Sequence, residues 1–267
     1  MRAALLAAVI AGVVCPAVVA SAADSTSSRA KSESKKTKKK ATKKSKKAKK
    51  KSKKKREKVS RTPSKSSLRN TKNMPRGYEW PPSRQMLGAE KVCRAKLDEL
   101  GVVYKSAKRE GRIVDALTVS AEDGTMTIGG ITYRSAYRKG PHKMDCQLAL
   151  VLHNFGPQLT ELGVREITFG SIYRWTNVRV NGQTKNILSR HALGIAMDIV
   201  SFTDDAGKVS TVKTDYASDD PLLRSIEDAV NASGKFRTLL TPKNDPASHS
   251  DHFHLEAYVD YTAPASS

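Results

Sequence analysis

The side chains in this chain best suited to chemistry lie in two segments, Ser189-Arg190-His191-Ala192-Leu193-Gly194-Ile195-Ala196-Met197-Asp198 and Asp251-His252-Phe253-His254. Two imidazoles and a carboxylate make a borderline-soft donor set, and a hydrolytic zinc needs about three protein ligands with one position left open for water. His191, Asp198 and one histidine of the second segment meet that requirement. A single His-to-Asp spacing carries little weight, because histidines commonly sit satisfied at the edge of a core. The conjunction carries more: four of the six histidines are His191, His249, His252 and His254. His142 and His153 lack such company and read as a loop residue and a helix-face residue.

These residues need elements to hold them. Gly194, Ala196 and Asp198 alternate along a strand expected over 195–202, so they face one way, and the small side chains leave room for a metal against the sheet. His191 lies in the loop just before it. His252 and His254 share one face of a strand expected over 253–259, with Asp251 at its start. Upstream, residues 88–100 read as a helix, with Val92, Leu97 and Leu100 at helical spacing and Gly101 as its stop. Residues 113–119 and 125–133 straddle Glu122-Asp123-Gly124 and read as a hairpin. Residues 145–162 form a second helix, interrupted around Gly156-Pro157. A strand over 165–175, an Asn181-Gly182 turn and loop, a helix begun by Ser218 and running to Ala232, and a strand over 236–240 complete the reading. Helices and antiparallel strands out of regular alternation define an α+β class: one domain, with a central antiparallel sheet packed by helices.

The N-terminus sets the expected compartment. Arg2, the apolar run from Ala3 to Val14 and Ala20-Ser21-Ala22 have the layout of a secretory signal peptide over residues 1–22, and the apolar stretch falls short of the roughly 20 residues that span a bilayer. The mature chain is therefore expected to be exported, in the periplasm or elsewhere in the cell envelope, with no transmembrane segment after cleavage. Residues 23–74 read as a disordered Lys-rich tether. Within it, 29–58 is almost entirely Lys, Ser, Thr and Ala and holds most of the formal net charge of +22, with nothing to form a core. Anionic envelope polymers or a lipid surface are its expected partners, bound in a salt-sensitive way; a solvated spacer without a partner is the alternative. Nucleic acid is disfavoured, since an exported chain rarely meets it and no aromatics interleave with the lysines to stack bases. The folded domain is expected over 75–262, with a short tail at 263–267. Cys15 leaves with the signal peptide, and Cys93 with Cys146 suggests a disulfide in an oxidising compartment.

Ser189-x-His191-x-x-Gly194-x-Ala196-x-Asp198 with a distal His252-x-His254 resembles the zinc peptidases of the D-alanyl-D-alanine carboxypeptidase and murein endopeptidase superfamily, whose fold is shared with the hedgehog signalling domain. Gly170-Ser171-Ile172-Tyr173-Arg174, Arg190-His191-Ala192, Asp198-Ile199 with Phe202, and His249-Ser250-Asp251-His252-Phe253-His254 are similar, in order, to segments of the extensin-like C-terminal family. That family also tends to carry cysteines at the places of Cys93 and Cys146. The likeness covers residues 88–261. It implies a hedgehog/D-Ala-D-Ala-peptidase-like fold and Zn2+ held by His191, Asp198 and His254. It further implies Asp251 as the catalytic carboxylate, His252 to polarise the water or steady a tetrahedral oxyanion, and Arg174 to bind a substrate carboxylate or the scissile carbonyl. Arg190 departs from the acidic residue often found before the first ligand in extensin-like proteins. Glu256, two residues past His254 on the same strand face, competes with Asp251 for the role of base.

The function expected from this resemblance is that of an exported zinc metallopeptidase acting on peptidoglycan, as carboxypeptidase or endopeptidase, through metal-activated water. A non-catalytic peptidoglycan-binding module tethered by its cationic tail is the alternative. A polyanion-binding structural protein acting through that tail alone is a third class.

Overall fold

Side-chain caps open most of the helices in the computed structural model of the protein, which describes residues 62–120 and 125–263. Ser64 opens a short helix, α1 (Lys65–Arg69), through reciprocal contacts with Ser67. Ser83 caps α2 (Arg84–Glu99), in which Met86, Glu90, Cys93 and Leu97 recur at helical spacing and form its buried face. Five short strands follow: β1 (Lys105–Ser106), β2 (Ala116–Thr118), β3 (Met126–Ile128), β4 (Ile131–Ser135) and β5 (Lys143–Asp145). Asp145 then caps α3 (Cys146–Glu161) by accepting from the Gln147 amide, and the expected disulfide, Cys93–Cys146, ties α2 to the start of α3.

Strands dominate the second half: β6 (Val164–Ser171), β7 (Asn177–Val180), β8 (Gln183–Leu188), β9 (Ala196–Asp204) and β10 (Val209–Thr211). After them come the single-turn α4 (Val212–Asp215), α5 (Pro221–Ala232), β11 (Phe236–Leu240) and β12 (Phe253–Ala257). The main sheet runs β11-β12-β9-β6-β4-β3, with β10 on β9. Helix α3 lies against β3, β4, β6 and β12, and α2 packs on α3, burying Leu148, Leu152, Phe155 and Leu159 with Ile131, Tyr133 and Ile167 in one core. This close approach needs Gly156: a Cβ there would lie 1.9 Å from the Gly129 carbonyl oxygen. The α+β class follows as expected. The sheet is mixed rather than wholly antiparallel, because β4 and β6 run parallel, joined by the α3 crossover.

Other expectations give way locally. The segments 113–119 and 125–133 do not pair. Both edges of β2 are taken, by β1 and β5, and the Asp145 carboxylate accepts from the Val114 and Asp115 amides, which anchors this segment elsewhere; β3 pairs with β4 instead. Helix α3 runs unbroken through Gly156-Pro157, held by the packing of its apolar face. Helix α5 starts after Asp220, not Ser218, because the Asp220 carboxylate accepts from the Leu223 amide and Pro221 suits a first turn. The segment 177–188 is a hairpin, β7 with β8, where only a turn and loop were legible among its polar residues. Residues 62–74, assigned from composition to the tether, carry α1 and grip β8: Asn70 Nδ2 donates to the Asn186 carbonyl and Asn73 Nδ2 to the Leu188 carbonyl, each at 3.1 Å. The signal peptide, the 29–58 charge run, the Glu122-Asp123-Gly124 turn and residues 264–267 lie outside the described residues. No described helix is long and apolar enough to cross a membrane.

Candidate metal centre

Strand register builds the site. Asp198, on β9, has Ser171 of β6 and His254 of β12 as its direct cross-strand partners, and residues directly opposed on antiparallel neighbours project to the same face. Irregular pairing around Phe169 bends the end of β6, where Ser171 Oγ donates to Asp198 Oδ2 at 2.8 Å. His191 arrives on a 3-10 turn, Arg190–Leu193, whose N-cap Ser189 accepts from the His191 amide. Gly194 ends that turn at φ +68, and a Cβ there would lie 2.9 Å from the Asp145 amide nitrogen. Glycine is what allows the chain to swing from His191 into β9 at this contact. The result brings together all three expected ligands: His191 Nε2, Asp198 Oδ1 and His254 Nδ1 lie 2.9–3.1 Å from one another, and all three residues are buried.

The donor set fits a cation. His191 Nδ1 donates to the Ile172 carbonyl at 2.6 Å; since a carbonyl can only accept, Nδ1 holds the proton and Nε2 presents a lone pair inward. His254 Nε2 faces Glu256 Oε1 at 3.4 Å, which turns His254 Nδ1 to the centre. Three acceptors aimed at one point are stable only around a positive charge, whether a metal ion or a proton. Burial, ahead of the opposing pull of Asp198, lowers the His191 pKa. Burial works to raise that of Asp198, but His191 and His254 outweigh it and hold the carboxyl well below its usual range. For His254, burial disfavours the imidazolium, yet hydrogen bonds and charge from Asp198 and Glu256 raise it to about 9. A proton on His254 thus supplies the positive charge when no metal does. Two imidazoles and one carboxylate, with lone pairs inward and a cleft above, suit zinc, whose binding would release that proton.

The cleft measures about 370 Å³ and is lined by the β7–β8 hairpin on one side and residues 247–252 on the other. Arg174 Nη2 donates to Asp198 Oδ2 at 2.7 Å while half of its side chain stays exposed, so it fixes the ligand's second oxygen and still faces the cleft. His252 Nε2 lies 3.5 Å from Asp198 Oδ1, and His252 Nδ1 donates to Asp251 Oδ1 at 2.7 Å. Asp251 itself is exposed at the rim. Glu256 differs: it is buried, with Oε1 toward His254 and Oε2 accepting from Arg237 Nη1 at 2.5 Å and lying 3.5 Å from Arg190 Nε. Burial works to raise the Glu256 pKa, but His254, Arg190 and Arg237 bring it down to about 2. Both its oxygens are engaged, so it orients His254. The buried Arg190 also donates to the carbonyls of Asn73 and Ala257, and thus balances Glu256 from beneath the site.

Three contributors escaped the sequence reading. Ser171 and the Ile172 carbonyl, which hold Asp198 and His191, have no signature of their own beyond their place in the segment 170–174. His249 belongs to neither ligand motif: its Nδ1 donates to Asp245 Oδ2 at 3.1 Å, while Asp245 Oδ1 accepts from the Asn181 amide. The His249 ring lies 5.0 Å from His252 and 5.3 Å from His254, and burial, then these two neighbours, push its pKa down to about 4. The Asp245-x-x-x-His249 spacing was the signal available.

A sequence model of one protein family, described as extensin-like protein C-terminus, matches residues 91–263. Comparisons with curated proteins and with solved structures gave no match.

Proposed function

The chain belongs to the extensin-like C-terminal family, and from that premise we propose that it is an exported zinc peptidase of peptidoglycan, hydrolysing an amide bond of the stem peptide or of a cross-link. The observation that carries this reading is the convergence of His191 Nε2, Asp198 Oδ1 and His254 Nδ1 beneath a cleft whose rim holds Asp251 and His252. The ligand order, with Asp251 three residues before the last ligand, supports kinship with the D-alanyl-D-alanine carboxypeptidase and murein endopeptidase superfamily and its hedgehog-like fold. The disulfide Cys93–Cys146 and the signal-like residues 1–22 support an exported setting, in which the Lys-rich run would rest on an anionic polymer or lipid surface.

Zinc held by these three atoms would polarise a scissile carbonyl and lower the pKa of a water to about 7. Ser171 and Arg174 hold Asp198 Oδ2, so its other oxygen stays on the ligand side. Asp251 takes the proton of the attacking water and returns it to the leaving amine, a role worth about 10²–10⁴ in rate. Its hydrogen bond to His252 Nδ1 turns His252 Nε2 toward the ligands, where this ring is placed to steady the oxyanion. Arg174, half exposed, meets the substrate's carbonyl or carboxylate.

The test measures bound metal and release of fragments from purified peptidoglycan for the wild type, Asp251→Ala and His254→Ala. About one zinc per chain, fragments from the wild type, metal without cutting in Asp251→Ala and neither in His254→Ala is the expected pattern. Metal without fragments under any condition would replace the peptidase with a binding module.

A further inference from the structure

A second cavity, of about 260 Å³, opens beside the metal centre. Its walls are Tyr137, Arg138, His142, Lys143 and Arg174, and its floor is the end of β6 and the residues after it, 170–173. Arg174 lines both this cavity and the main cleft. The floor is the same stretch that holds the ligands: Ser171 Oγ donates to Asp198, and the Ile172 carbonyl accepts from His191. Whatever fills the cavity therefore sits next to the ligand cluster.

Its chemistry is one-sided. Three cations line it and no Asp or Glu does. Arg174 is committed on one nitrogen to Asp198, and Lys143 Nζ pairs with Glu110 at 2.7 Å. Among the described residues, no carboxylate pairs with Arg138. His142 is buried with its ring edge-on to Phe169 at 4.8 Å, and its Nε2 has no hydrogen-bond partner, a costly state for a buried polar atom. Burial, then the charge of Arg138, lowers the His142 pKa, leaving a neutral ring with a polar nitrogen to satisfy. Tyr137 stands 79 % exposed at the rim, and its Cε2 is 3.4 Å from where a Cβ on Gly170 would be, so the ring lies across the bare floor as an apolar platform.

We propose that this cavity is a carboxylate subsite, which binds an acidic group of the peptide whose amide lies over His191, Asp198 and His254. The proposal rests on the peptidase reading for the placement of that amide. Arg138 supplies the planar fork that matches a carboxylate, Lys143 adds a second positive charge, and Tyr137 packs on the carbon skeleton beside it. The acidic group is either the free end of the peptide chain or a side chain of it.

The test uses the full chain with zinc bound and three peptides of one stem sequence: one with both carboxylates free, one amidated at the C-terminus and one amidated at the acidic side chain. Binding is measured by calorimetry and cutting by mass spectrometry, for the wild type, Arg138→Gln and Arg138→Gln/Lys143→Gln, with zinc content as the check on folding. The subsite predicts about tenfold weaker binding of the free peptide in the single variant and a larger loss in the double. For one of the two amidated peptides, the variants would change nothing, because the group they recognise is already gone. Which amide abolishes the difference tells chain end from side chain. Equal losses on all three peptides, no loss on any, or no binding of any peptide overturns the subsite. Carboxylate-dependent binding without cutting keeps the subsite and removes the peptidase; cutting that ignores both carboxylates does the reverse.

Discussion

Among the described residues, two groups of three buried side chains bring potential ligand atoms within 4.8 Å of one another: His191, Asp198 and His254 at the sheet and the turn before β9, and Glu90, Cys93 and Cys146 between helices α2 and α3. Proximity is the same in both, and their chemistry is opposite. In the helical group the two sulfurs are bonded to each other, so neither is a thiolate ligand. Glu90 accepts from the Tyr261 hydroxyl at 2.9 Å while its Oε2 has no partner. Burial, then the charge of Asp145, raises the Glu90 pKa well above its usual value. In the other group, neighbours take the outward nitrogens of the histidines, so that His191 Nε2, Asp198 Oδ1 and, once its proton leaves, His254 Nδ1 face one point, and Asp198 is held ionised. Near donors suit a metal only when their surroundings can give the inward lone pairs to a cation; in the helical group the sulfurs are spent on each other and burial disfavours the Glu90 carboxylate, so it is a staple.

The largest effect expected from breaking this contrast is His254→Ala, which should drop zinc from about one per chain to near zero, read by elemental analysis, with no fragment release. Next is the double change Cys93→Ser/Cys146→Ser. Opening a loop with a sequence separation of 53 residues should cost about 4 kcal/mol in denaturant unfolding and leave zinc content unchanged; a parallel fall in zinc would erase the distinction between the two groups. Glu256→Gln is smaller. It keeps the shape but weakens the hold on His254 Nε2, and metal affinity should fall about 10–100-fold in a chelator competition.

The smallest effect is Glu90→Gln, and it depends on pH. A carboxyl whose folded pKa is raised contributes stability at pH below its unfolded value and loses that contribution as pH rises toward the folded value. The wild type should therefore weaken above about pH 4.5, where Glu90 ionises when unfolded but resists doing so when folded. Gln has no such titration. The variant should match the wild type near pH 4 and exceed it by on the order of 1 kcal/mol at pH 7, measured as the difference between two unfolding curves. A constant offset across that range would mean that Glu90 is ionised in the folded state.

Much of the site was legible because its signals are local. His191 and Asp198 are separated by a turn and a short stretch of strand, and the alternation of Ala196 and Asp198 placed the carboxylate on one face; Gly194, expected in the same alternation, instead ends the turn in the left-handed region. The competition between Asp251 and Glu256 was not legible. Both carboxylates lie near His254 in sequence, and the distinction between an exposed rim residue and a buried partner of two arginines comes from Arg190 and Arg237, which approach from other elements. The same limit explains the missed pairing of β2. Residues 116–118 are apolar enough for any sheet, and only the backbone edges offered by β1 and β5 decide which one they join. It also explains α1: a Ser/Lys/Asn stretch has the composition of a tether, and its order depends on β8 carbonyls more than a hundred residues away.

The amino-acid order alone determined the types of donor, the spacing of His191 and Asp198, the pairing of the two cysteines left after the signal-like segment, and the approximate spans of α2, α3, α5, β9 and β11. Those features depend on capping, periodicity and composition within a few residues. Tertiary structure decided the alignment of Ser171, Asp198 and His254 across three strands, the tautomer that the Ile172 carbonyl imposes on His191, and the opposite directions in which Asp198 and Glu90 are shifted. Register, tautomer and burial depend on groups far apart in the chain, whose interaction free energies exist only once the sheet and its helices have closed around them.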